Sequence, residues 1–123
     1  MSANVITGIR TVSVPVTDQE QALRFYVGTL GFTVLRDGPI PTGRWIELAP
    51  GTDDGVVVTL DQAPADVTRG PIMIRFTTDD AAAAHAALTA AGVDTDEVLT
   101  WPGVPPMFAF RDPDGNAFSI TES

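Results

Sequence analysis

The stretch FRDPDGNAFSI, residues 110–120, sets Asp112, Asp114 and Asn116 between apolar residues. Two carboxylates so close could hold a cation or work as an acid–base pair. Spacing excludes an EF-hand calcium loop. Started at Asp112, such a loop needs glycine sixth and glutamate twelfth, and those positions are Ala117 and Ser123. Pro113 suits the second position of a type I turn, and Gly115 suits the left-handed bend that restores strand pairing. These acids therefore read as turn chemistry. His85 is the single histidine and cysteine is absent. That excludes disulfides, thiolate metal sites, a cysteine nucleophile and any site needing two imidazoles. His85 stands inside AAAAHAAL, where a helix-packing role is the simpler reading.

Composition narrows the partners. The chain has 123 residues, 44% of them hydrophobic, enough to build one domain with a real core. Its net charge is −9 and its seven basic residues are all arginine. An acidic surface repels phosphate backbones, so no nucleic acid is expected, and cationic small molecules are favoured. No apolar run reaches the roughly 18 residues that span a bilayer, so no membrane partner is expected. MSANVITGIR lacks a basic segment followed by an apolar one. With cysteine absent, a cytoplasmic home is expected.

Two segments resemble each other: VSVPVTDQEQALRFYVGTLGFTV from Val12, and IMIRFTTDDAAAAHAALTAAGVDT from Ile72. Asp18 and Asp80 stand 62 apart, and Gly31 and Gly92 stand 61 apart. Each segment reads as an alternating strand, an acidic helix start, a helix, a glycine and a new strand, which points to an internal duplication. Val12, Val14 and Val16 share one strand face. Thr17-Asp18-Gln19-Glu20 fits a capping box. Ala22, Leu23, Phe25, Tyr26 and Leu30 make an apolar helical stripe, ended at Gly31. The second helix is expected from Thr78-Asp79-Asp80 to Gly92. Further strands are expected near 32–36, 44–49 and 55–61, then near 93–99, 106–111 and 116–121. Gly38-Pro39 and Pro50-Gly51 read as breaks, residues 100–106 as a structured loop, and Pro15 as the mark of an edge strand. The expected organisation is a single domain of residues 1–123, with module 8–61 and module 71–121 joined by linker 62–70.

VPVTDQEQALRFYVGTLGF, MIRFTTDD and FRDPDGNAFSI, in this order and spacing, resemble the vicinal oxygen chelate superfamily of glyoxalases, ring-cleaving dioxygenases and bleomycin-resistance proteins. The resemblance implies an α+β fold of two tandem βαβββ modules forming a cup-shaped, partly open mixed β-sheet barrel with helices outside. It also implies a divalent ion held by His, Gln or Glu at four places. Those places fall on Thr11, Thr59, Met73 and Ser119. Hydroxyls are weak donors to such ions and a thioether suits soft copper(I), so the usual metal is not expected, and no cofactor with it.

Alternation of the strands then gives the ligand-side faces. They carry Thr11 and Ser13; Val57, Thr59 and Asp61; Met73 and Arg75; Ala117, Ser119 and Thr121. Trp45 and Glu47 join from the third strand, and Met107 and Ala109 from the seventh, with Trp101 at the rim. The expected ligand-binding set is Trp45, Glu47, Thr59, Asp61, Met73, Arg75, Trp101, Met107 and Ser119. As a buried cation Arg75 would need an anion, and Glu47 or Asp61 could supply it. The expected function is a homodimeric binding protein holding a small molecule, with cationic aromatics favoured, in a metal-free cup. The alternative is a glyoxalase- or dioxygenase-like lyase, isomerase or oxygenase using atypical residues or a divalent metal.

Overall fold

A computed structural model of the chain describes residues 5–51, 55–66 and 70–123. Within the expected linker 62–70, residues 67–69 lie outside the described residues, as do residues 1–4 of MSANVITGIR. The first half holds β1 (Thr11–Val16), α1 (Gln19–Leu23) running on as a π-helical stretch (Arg24–Thr29), β2 (Thr33–Ile40), β3 (Gly43–Ala49) and β4 (Val57–Gln62). The second holds β5 (Pro71–Thr78), α2 (Ala81–Ala90), β6 (Asp94–Thr95), β7 (Leu99–Trp101), β8 (Val104–Arg111) and β9 (Ala117–Glu122).

The two halves repeat one topology. The first sheet runs β1-β4-β3-β2, and the second runs β5-β9-β8-β6, with β7 sharing the outer edge of β8. In each sheet the opening strand lies parallel to the closing one, and the remaining pairs are antiparallel. β1 and β5 each pair with a single neighbour, so Pro15 does sit on an edge strand, where its missing N–H breaks no ladder. Among the described residues no strand pairing joins the two mixed sheets, and they stay open, in keeping with the expected partly open α+β arrangement.

Alternation sets the core. Val14 and Val16 of β1, Ile46 and Leu48 of β3, and Val58 and Leu60 of β4 are buried on one side of the first sheet. Phe108, Phe110, Phe118 and Ile120 are buried on one side of the second. Tyr26 and Phe32 join these layers. The Tyr26 ring stands edge-on to Phe118 at 6.3 Å, and Phe32 lies 5.6 Å from Phe76. His85 packs edge-to-face on Phe108 at 5.2 Å. No helix among the described residues is long and apolar enough to cross a membrane.

Several local expectations need correction. Asp18, not Thr17, caps α1: its Oδ1 accepts the Gln21 N–H at 3.1 Å. Thr17 instead donates its hydroxyl to Asp114 at 2.6 Å. Gly38-Pro39 does not break the chain but lies inside β2, an edge strand that tolerates proline. The strand expected at 93–99 is split into β6 and β7. At the split Asp96 turns to hold Arg111 through both guanidinium nitrogens, at 2.9 Å each, which keeps its carboxyl below the usual range. Much of the loop expected at 100–106 is a hairpin between β7 and β8. Pro105 and Pro106 fit there because β8 meets β9 only from Met107 onward.

Candidate functional site

The expected site residues fall into two groups on two faces. On the first sheet, register aligns Ser13 with Thr59 and Glu47 with Thr59, so these three side chains form a row across β1, β4 and β3. Asp61 follows Thr59 on the same face. Its Oδ2 accepts a short hydrogen bond from Ser13 Oγ and another from Thr59 Oγ1 at 3.1 Å. Glu47 is buried, and its Oε2 accepts the Trp45 indole N–H at 2.7 Å. Exposed Arg10 approaches the same oxygen at 3.7 Å. The outcome is an indole fixed in place by a buried carboxylate, beside a second carboxylate fixed by two hydroxyls.

The second sheet brings together Met73, Arg75, Met107 and Ser119. Register places Arg75 beside Ser119, Ala109 opposite Ser119, and Met107 opposite Thr121. Met73, Arg75, Ala109, Arg111 and Ser119 line a shallow open depression of about 290 Å³. Met73 is 84% exposed in the middle of this face. Trp101 sits at the β7–β8 hairpin, opposite Val104, with 55% of its surface exposed. A larger crevice of about 1230 Å³ is lined by residues of both halves, among them Val12, Phe32 and Val57 from the first and Met73, Arg75 and Phe76 from the second. Neither hollow contains Glu47 or Asp61.

The two groups do not meet within the chain. Arg75 was expected buried against Glu47 or Asp61. It is exposed, and it has no ion pair or hydrogen bond among the described residues. Glu47 and Asp61 take their bonds from their own sheet. The physical reason is the open architecture: each face belongs to a separate sheet, and the contacts between halves run through the aromatic side.

The four places where the resemblance implies a divalent ion do not converge on one donor set. Thr11 and Thr59 belong to one face and Met73 and Ser119 to the other, and Thr59 Oγ1 is spent on Asp61. Hydroxyls and a thioether do not make a donor set for a hard or borderline divalent ion. Among the described residues no cluster of three or more His, Cys, Asp or Glu stands ready to replace them. The residues do not fit the ion.

Reading the sequence missed a second task of the DPDGN turn. Asp112 is buried, and its Oδ1 accepts the backbone N–H of Asp114 at 3.0 Å and of Asn116 at 2.9 Å, as turn chemistry requires. Its Oδ2 accepts the Tyr26 hydroxyl at 2.7 Å and Asn116 Nδ2 at 2.9 Å. Asn116 Nδ2 also donates to Pro15 O at 2.8 Å. The turn therefore fastens the two halves together, while Gly115 at φ 86° supplies the bend. The signal was the polar hydroxyl of Tyr26 within an otherwise apolar stripe.

Burial first, and the Asp112 carboxylate second, hold the Tyr26 phenol well above its ordinary 10.0. A raised value means the folded chain keeps a proton the unfolded chain would release. The stabilisation is thus whole below pH 10 and is lost as pH rises beyond it. Tyr26 is the only tyrosine, so tyrosinate absorbance reports it alone. The native protein is expected to show none until it unfolds, whereas the urea-unfolded chain titrates near 10.0. A native transition near that value would contradict the buried hydrogen bond.

Known proteins share this architecture. A glyoxylase-like domain-containing protein of Didymella fabae is 32% identical over 120 residues, covering 91% of each chain. An antibiotic binding protein, TnmS3 from Streptomyces sp. CB03234, superposes with a TM-score of 0.81 at 35% identity, covering 98% of each chain. A glyoxalase/bleomycin resistance protein from the same Streptomyces superposes at 0.74 with 37% identity, covering 93% of this chain and 99% of that one. The family model for the Glyoxalase/Bleomycin resistance protein/Dioxygenase superfamily matches residues 8–120. With its two halves each running strand, helix and antiparallel strands that close back beside the opening strand, this chain belongs to that superfamily.

Proposed function

We propose that this protein binds a small cationic aromatic molecule without a divalent metal, in the cytoplasm, and that the first-sheet face is its principal contact. The observation that carries the reading is the Trp45–Glu47 hydrogen bond, in which the accepting carboxylate is buried. An indole whose rotation is fixed offers a flat, low-entropy stacking surface, and a cation over its face gains about 0.5–2 kcal/mol. Glu47 and Asp61 supply negative charge at the same place, and an overall charge of −9 draws cations toward it. Similarity to an antibiotic binding protein supports a binding role for this fold. The poor donor set at Thr11, Thr59, Met73 and Ser119 supports a reading without metal.

Thermal melts against a panel of cationic aromatic compounds, and separately against zinc, nickel and iron(II), test this. A true ligand at a hundredfold excess over Kd stabilises by about 2.7 kcal/mol. Trp45→Ala and Glu47→Gln are each expected to weaken that ligand by about tenfold. Stabilisation by one of the metals, with one ion per chain by mass spectrometry, would instead favour a glyoxalase- or dioxygenase-like enzyme. No shift with any compound would remove the binding reading.

A further inference from the structure

We infer that the crevice between the two halves is a second binding site, for an amphiphilic anion: a carboxylate with a long apolar tail. It is separate from the Trp45–Glu47 row, since Ser13, Trp45, Glu47, Thr59 and Asp61 do not line it. Its origin lies in the sequence. By the 62-residue offset of Asp18 and Asp80, Ala87 of α2 takes the place that Phe25 holds in the first helix. Phe25 packs against the core. Ala84 and Ala87 instead line the crevice one turn apart, with Leu88 beside them. Their methyl groups leave open a space that larger side chains would fill. The junction of the halves widens it, because no strand pairing joins β1 to β5 among the described residues. The hollow of about 1230 Å³ exceeds the roughly 300–1,000 Å³ of ordinary small-molecule pockets, so it has room for a long tail.

Two features define the ligand. The first is apolar wall left in water. Phe32, Ile74 and Phe76 line the crevice, and so do Leu35, Val56 and Met73, which are 53%, 48% and 84% exposed. A run of methylenes laid along them removes apolar surface from water on both sides. The second is charge. The chain carries 16 Asp and Glu against 7 Arg. Yet among the described residues lining the crevice no carboxylate appears, and Arg75 is the one charged side chain. Arg75 is exposed and has no ion pair among the described residues. Its planar guanidinium is free to hold a carboxylate through two parallel N–H bonds. The acidic surface elsewhere repels such an anion. A ligand gains only where its head reaches Arg75 while its tail reaches the apolar wall, and the crevice is where both are offered together.

Titration calorimetry of the untagged chain with sodium octanoate, decanoate and dodecanoate, each kept below micelle-forming concentrations, tests this. Dodecanoate is expected to saturate at one molecule per chain. Each two-carbon step in the tail is expected to tighten binding by about tenfold. Arg75→Gln keeps the fold's apolar wall but removes the cation, and is expected to weaken dodecanoate by about tenfold or more. Ala87→Trp fills the hollow and is expected to abolish binding. Circular dichroism checks that the variants are folded. Should Ala87→Trp fail to fold, Leu35→Glu takes its place, because that side chain is already half exposed and a carboxylate there repels the ligand. No binding of dodecanoate, equal binding of all three acids, or binding untouched by Arg75→Gln or by a folded crevice variant would each overturn the inference. Uptake of many molecules per chain without saturation would mark adventitious surfactant binding only, and overturn it too. So would a chain that self-associates, binds no dodecanoate and is dispersed by Ala87→Trp in sedimentation velocity, since the crevice would then belong to a second copy. Melts with cationic aromatic compounds read the first-sheet face, so either reading can fail while the other stands.

Discussion

Asp112→Ala is expected to lower the free energy of unfolding by about 3–5 kcal/mol, and the melting temperature by roughly 10–20 °C. The carboxylate is 6% exposed and accepts four hydrogen bonds, two from backbone and two from side chains. Truncation leaves four donors facing a space where few partners can reach them. A stranded buried donor costs about 1–3 kcal/mol, and partial relaxation keeps the total below the simple sum. Asp112→Asn keeps the shape but turns one acceptor into a donor that faces donors, so it recovers little. Tyr26→Phe removes one of the four bonds and is expected to cost about 1.5–3 kcal/mol. Urea titration with an unchanged slope is the measurement. A loss under about 1 kcal/mol for Asp112→Ala would show that the turn holds its shape without its carboxylate.

Phe118→Ala is expected to cost about 3–5 kcal/mol. The side chain is 2% exposed and touches rings from both halves: Phe76 and Phe110 at 5.5 Å within its own sheet, and Tyr26 at 6.3 Å from the first. Removing it opens a cavity among aromatic neighbours that are each locked by others, so collapse into the gap is limited. Phe118→Leu fills most of the volume and is expected to restore more than half of the loss. The two effects are separable. The Asp112 variant should also lower the native tyrosine titration toward 10.0, because a carboxylate no longer faces the phenol, while Phe118→Leu should leave it high.

Local patterns were legible wherever the physics is local. Alternation in TVSVPV placed β1 and its buried valines, and Asp80 and Gly92 bracket α2 as a cap and a left-handed stop do. Register then brought Trp45, Glu47, Thr59 and Asp61 onto one face, as alternation implied. What failed was long-range or cooperative. Arg75 lies on the expected face, but how far apart the two faces stand depends on how the sheets meet, which no strand pattern encodes. Tyr26 and Asp112 are 86 residues apart, and nothing in either neighbourhood names the other. Prolines misled in one direction. Pro39 read as a break and Pro105 as part of a loop, but an edge position or an unpaired strand end removes the penalty for a missing N–H.

The fastening of DPDGN onto the first half has a kinetic consequence. Its three links, Tyr26 to Asp112, Thr17 to Asp114 and Pro15 to Asn116, close chain segments 86, 97 and 101 residues long. Closing such segments is entropically slow, and reward comes only once the ends have met. On a ribosome, β1 and α1 emerge first but wait for nearly the whole remaining chain before their polar partners arrive. During that wait the Tyr26 hydroxyl has no acid to bond, and the rings of the second half are missing from its aromatic surroundings. The first half is thus expected to reach its native state together with the second half rather than before it.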